Sequence, residues 1–163
     1  MNPNSQKFIT QMSSKLKSNF FLFAKLPSAF FSGVRIKELN EEQATVTVPY
    51  KWFSQNPFGS TYFACMAMAA EMSTGLLGMM QVYERNPSVS MLVVKLEANY
   101  FKKAVGLTHF ICDAGTEFKN TVEECLQTGA GKTITAKSRG TNEQGELVAE
   151  FFVTWSFKAK KQL

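Results

Sequence analysis

Residues 62–80 read YFACMAMAAEMSTGLLGMM, and how this run is placed decides the fold. It is apolar or small throughout except for one carboxylate, Glu71, at its middle. Ala, Met and Leu favour a helix, and an apolar helix of this length either spans a bilayer or forms the centre of a core. A charge at mid-run and two glycines argue against the bilayer, as do the strand-like segments on either side. The stretch therefore predicts a central buried helix over about residues 59–83, ending at the ERNP breaker.

Working outward, GVRIKEL is followed by NEE and then QATVTVPY, whose alternation predicts a two-stranded hairpin. SQNPFGS, rich in turn formers, leads into the helix. After it, residues 89–104 alternate with Leu92, Val94, Leu96, Ala98 and Tyr100 on one face, predicting a long strand with residues 106–115 as its hairpin partner. EFKNTVEECLQTG predicts a brief helix. KTITAKSRGT and ELVAEFFVTWSFK, joined at NEQG, predict the last two strands, with Leu147, Ala149, Phe151, Val153, Trp155 and Phe157 on the buried face. The N-terminal 5–31 segment carries apolar positions at helical spacing, interrupted by Pro27. The expected architecture is α+β: a six-stranded antiparallel sheet wrapped around one long helix, after an N-terminal helical extension.

Composition bounds the function. At 163 residues and 45% hydrophobic, the chain has enough apolar surface for one cored domain. The net charge of +5 is mild, and no basic stretch interleaved with aromatics suggests nucleic-acid binding; a small polyanionic molecule is the better partner. Three widely spaced cysteines, Cys65, Cys112 and Cys125, fit reduced thiols, with neither a disulfide framework nor a metal site, and so a cytoplasmic setting. Lys15 and Lys17 precede FFLFA, but Lys25 cuts that run too short for a signal peptide.

Around the helix, Ala64, Ala67, Gly75 and Gly78 lie nearest Glu71, with Met68 and Thr74 beyond them. Glu71 thus projects from a stripe of small side chains able to approach the sheet closely. An ion pair, with Lys95 for example, is the purely structural account of this acid; catalytic use is the other.

The segment NPFGSTYFACMAMAAE resembles the signature of hotdog-fold acyl-CoA thioesterases of the phenylacetate-pathway type, in which an Asn, a Gly three residues on, a His-Gly-Gly and an acid recur at this spacing. The likeness runs from about Pro27 to Lys158 and points to an uncharacterised branch of that superfamily. It implies residues 1–32 as a helical extension and 33–163 as a hotdog domain, in a single unit. It also implies thioester hydrolysis, with Glu71 as general base or nucleophile and Asn56 orienting water or substrate. Gly59, Tyr62, Phe63 and Ala64 would form the oxyanion and substrate-binding turn. Tyr62 stands where the family has His, and Phe63 and Ala64 where it has two glycines. Val93 takes the place of a family Ser or Thr. Lys102, Lys103, Lys132, Lys137 and Arg139 are expected to hold coenzyme A phosphates, with no cofactor or metal. A homodimer or tetramer with no membrane span is expected, and a non-catalytic acyl-CoA or lipid-binding module is the alternative.

Two other patterns carry less. TGAGKT at 128–133 has Leu126 where a phosphate-binding loop needs glycine, and a helix precedes it where a strand should, so it predicts a helix stop. His109 falls on a strand without an acid in pattern, disfavouring a hydratase.

Overall fold

The computed structural model describes residues 2–160. Helices α1 (Ser5–Ser13), α2 (Lys15–Lys25) and α3 (Pro27–Phe31) lead into strands β1 (Arg35–Leu39) and β2 (Ala44–Val48). A 3-10 turn (Trp52–Ser54) and the central helix α4 (Phe63–Val82) come next. Then follow β3 (Val89–Tyr100), β4 (Thr108–Cys112), helix α5 (Gly115–Thr128), β5 (Lys132–Thr141) and β6 (Leu147–Ala159). All six strands join one antiparallel sheet in the order β1-β2-β4-β5-β6-β3. The sheet encloses α4, which is long and apolar enough to cross a bilayer but is largely buried within the protein.

Helix α4 starts at Phe63, later than the expected 59, because the preceding loop is fastened elsewhere. Gln55 bridges Thr61, Thr61 N–H donates to Ala104 O at 2.8 Å, and Tyr62 N–H donates to Ser54 O at 2.7 Å. The small-residue stripe does meet the sheet. A Cβ built on Gly75 would stand 3.1 Å from Trp155 Cζ2, and Gly78 lies against Met91 and Phe157.

The expected β3/β4 hairpin does not form. β4, five residues long, lies between β2 and β5, whereas β3 runs beside β6 at the sheet's edge. Segment 101–107 cannot be a tight turn: Phe101 N–H bonds Val148 O, and Gly106 O accepts from Tyr50 N–H, carrying the chain across the sheet end. The apolar series on β3 is also divided. The register slips between Val93 and Lys95, so Leu96 and Ala98 stand opposite the buried Val153 and Phe151, whereas Leu92 stands opposite Ser156. A bulge inverts the facing of every residue beyond it. Leu92 and Val94 are left on the outer face, exposed.

The N-terminal helices share the core. Asn2 Nδ2 donates to Met80 O and Tyr83 O at 3.0 and 2.7 Å, tying the chain start to the end of α4. Phe8 and Leu22 are buried, each contributing on the order of 1.5–3 kcal/mol. Gly129 ends α5 with φ +67, its N–H bonding Cys125 O at 3.0 Å, so TGAGKT is the helix stop that its context suggested. Cys65, Cys112 and Cys125 are free and buried, and burial pushes the Cys112 thiol up to about 11.

Candidate functional site

Glu71 lies midway along α4, half-buried, and lines a cavity of about 480 Å³. Gly75, Leu76, Met79, Met91 and Trp155 form apolar walls, and α2 and its C-cap add Phe21, Lys25 and Leu26. Among the described residues the carboxylate makes no ion pair or hydrogen bond; only its backbone carbonyl is used, accepting from Thr74 Oγ1 at 2.9 Å. Lys95, the ion-pair candidate, binds Glu97 at 3.0 Å instead. Burial without a compensating charge pushes the Glu71 carboxyl above its ordinary range. The result is an acid whose proton is held more tightly than usual, next to an apolar chamber.

Trp155 and Thr74 fix one wall. The indole Nε1–H donates to Thr74 Oγ1 at 2.8 Å, holding the ring against Gly75. A Cβ on Gly75 would also lie 3.7 Å from Glu71 Oε1, so the missing side chain keeps space open beside the acid. Sequence reasoning singled out neither Trp155 nor the α2 residues. The inward alternation of β6 carried a signal for Trp155, but nothing in the sequence sets α2 against this cavity.

The loop residues gather at a second place. Asn56 Oδ1 accepts from Phe58 N–H at 2.9 Å and Ser60 N–H at 3.2 Å, and its Nδ2 donates to Ser60 Oγ at 3.0 Å. This is an Asx-type turn organised by its own side chain. Gly59, at φ +70, supplies the left-handed residue that the turn requires, with open space around it. Asn56, Phe58, Tyr62, Phe63, Lys102 and Lys103 line a cavity of about 560 Å³ at the start of α4. The backbone N–H groups of Phe63 and Ala64, first in the helix, have no partner among the described residues. The positive end of the helix dipole stands behind them.

The structure therefore brings Asn56, Tyr62, Phe63, Lys102 and Lys103 together but sets Glu71 in the other cavity. Ala64 and Glu71 are seven residues apart on one helix, about 10 Å along its axis. The remaining cations lie elsewhere. Lys132 pairs with Glu124, Lys137 with Glu150 and Arg139 with Asp113, on strand β5. Lys102 pairs with Glu146, and Lys103 donates to Phe58 O. His109 sits on β4 between Thr47 and Thr141, and lines neither cavity.

A sheet wrapped around one helix, with an acid on that helix facing a cavity, defines a hotdog-fold protein. Residues 17–157 match the family profile of a domain of unknown function, DUF4442, and the chain belongs to that family. Among solved structures it is similar to PA5026 from Pseudomonas aeruginosa, a protein of unknown function named a probable thioesterase. The TM-score is 0.76 at 19% identity, over 98% of this chain and 99% of that one. OLEI01261, of unknown function, from Chlorobaculum tepidum gives 0.75 at 17% identity, over 96% and 94%. Thioesterase HI1161 from Haemophilus influenzae gives 0.63 at 12% identity, over 90% and 91%. Identities this low carry the fold alone. No curated protein matches the sequence.

Proposed function

We propose that this protein hydrolyses an acyl thioester of the coenzyme A type, with Glu71 as general base or nucleophile. The observation that carries the reading is a carboxylate with no ion-pair or hydrogen-bond partner among the described residues, lining an apolar cavity. In the base route Glu71 takes a proton from water as the water oxygen bonds the acyl carbon. The carbon–sulfur bond then breaks and the thiolate leaves, taking up the proton that Glu71 accepted from water. A thiolate is a good leaving group, so no strong acid is needed. The free amides of Phe63 and Ala64 would stabilise the oxyanion, each donor contributing about 3 kcal/mol.

Since about 10 Å separates those amides from Glu71 on one helix, we assign the complete site to two copies of the chain. One protomer supplies the amides and Lys103, the other Glu71 and the acyl chamber. A dimer is favoured by the β3 edge, twelve residues long and paired on one side only, with Leu92 and Val94 exposed beside it. Asn56, whose side chain is engaged within its own loop, would position the turn that carries the amides.

The test is release of free thiol from short, long and aromatic acyl-CoAs. Wild-type turnover that Glu71→Gln loses supports the reading; turnover surviving in Glu71→Gln refutes it. Binding without turnover identifies a non-catalytic acyl-CoA module, a reading favoured by the bulk of Phe63 beside the amides.

A further inference from the structure

We infer that α2, together with Phe31 and the Trp52–Phe53 turn, is a docking face for the surface of an anionic lipid bilayer. The inference does not depend on thioester hydrolysis. Helix α2 buries only Ser18 and Leu22 fully. On nearly the opposite side, Leu16, Phe20 and Phe23 fall at i, i+4 and i+7, forming one stripe. Their exposures are 82%, 71% and 54%. Aromatic contacts extend the stripe sideways: Phe23 to Phe31 at 6.2 Å, Phe31 to Phe53 at 6.1 Å and Phe53 to Trp52 at 4.9 Å. Trp52 itself is 76% exposed. Leaving such a contiguous apolar surface in water is unusual for a soluble protein.

Charge identifies the occupant. At 100° per residue, Lys15 and Lys17 fall about 100° to either side of Leu16, flanking the stripe. Neither they nor Lys25 forms an ion pair among the described residues. Residues 1–37 contain Lys7, Lys15, Lys17, Lys25, Arg35 and Lys37 and no acid, whereas acidic residues outnumber basic ones in the rest of the chain. Of these, Lys7 pairs with Glu84 and Lys25 lines the Glu71 cavity, so Lys15 and Lys17 are the cations that border the stripe. An apolar stripe bordered by lysines, with an aromatic belt including Trp, is the pattern of a helix lying in a bilayer interface. The lysine stems reach along the stripe while their heads meet lipid phosphates. A second copy fits poorly, since a two-fold contact through this face would oppose the same unpaired lysines.

The full-length chain is to be sedimented with phosphatidylcholine vesicles, with and without phosphatidylglycerol. Binding is expected only with phosphatidylglycerol, and it should weaken as salt rises. Trp52 emission should shift to the blue on binding; Trp155 is buried against Thr74, so Trp52→Phe should abolish the shift. Lys15→Glu with Lys17→Glu should cut partitioning at least about tenfold, each lysine being worth roughly fivefold. Leu16→Ser with Phe20→Ser should do likewise, and neither pair alters a buried side chain. Three results would overturn the inference. They are no vesicle binding at low salt, binding indifferent to both double variants, or a wild-type oligomer in lipid-free buffer that Leu16→Ser with Phe20→Ser dissociates.

Discussion

Glu71 is costly where it stands. Its folded-state pKa is raised by burial, so between the ordinary glutamate value and that raised value the folded protein holds a proton that the unfolded chain has released. Stability from this group is therefore full at acid pH and declines as pH rises through the window. Glu71→Gln should accordingly raise the melting temperature at neutral pH, with the gain vanishing below the ordinary carboxylate range. The same variant should lose thioesterase turnover by about a hundredfold or more, as expected for a missing base. A pH profile of the wild type should rise through a midpoint above the usual glutamate value, because the base must be ionised. Stability gained where activity is lost marks a residue kept for function; a variant that loses both would point to a structural role. Gly75→Ala is a second probe, since its Cβ would press on the Trp155 ring and should cost about 1–3 kcal/mol in urea unfolding.

At the scale of elements, α4 and β6 are joined among the described residues by a single buried side-chain bond, Trp155 to Thr74. Thr74→Val keeps the shape but orphans the indole N–H, and should destabilise by about 1–3 kcal/mol in chemical denaturation. Acyl binding should weaken with it, as the freed ring can swing into the chamber. How much of this was legible differs by element. The unbroken apolar run of α4 and the alternation of β6 carried both elements to within a few residues, because each signal is written in one segment. The β3 bulge was not legible: its alternating residues read as one face, and the slip is set by pairing with β6. The position of β4 was hidden for the same reason, as partner choice depends on strands distant in sequence. For the site, Glu71 stood out as a lone acid in an apolar run. Its separation from Asn56 required the loop to be seen folded on itself.

For the molecule as a whole, the open β3 edge predicts a dimer in sedimentation equilibrium. Leu92→Lys with Val94→Lys should leave the protomer folded, both positions being exposed, and shift the mass toward monomer with loss of turnover. Mixing that restores activity between Glu71→Gln and Asn56→Ala chains would place the two residues on opposite sides of one shared site. If mixing restores nothing while each variant still dimerises, the composite site is wrong.

Helix α2 has two employments. Phe21 and Lys25, with Leu26 just past its end, line the chamber beside Glu71, while its outer stripe faces away from the protein. The helix is thus a shutter as well as a surface, and the two sides cannot be tuned separately. A shortened protein trimmed to the sheet and α4, however well it folds, would have an unroofed chamber. Ligand affinities measured on it would describe a different compartment.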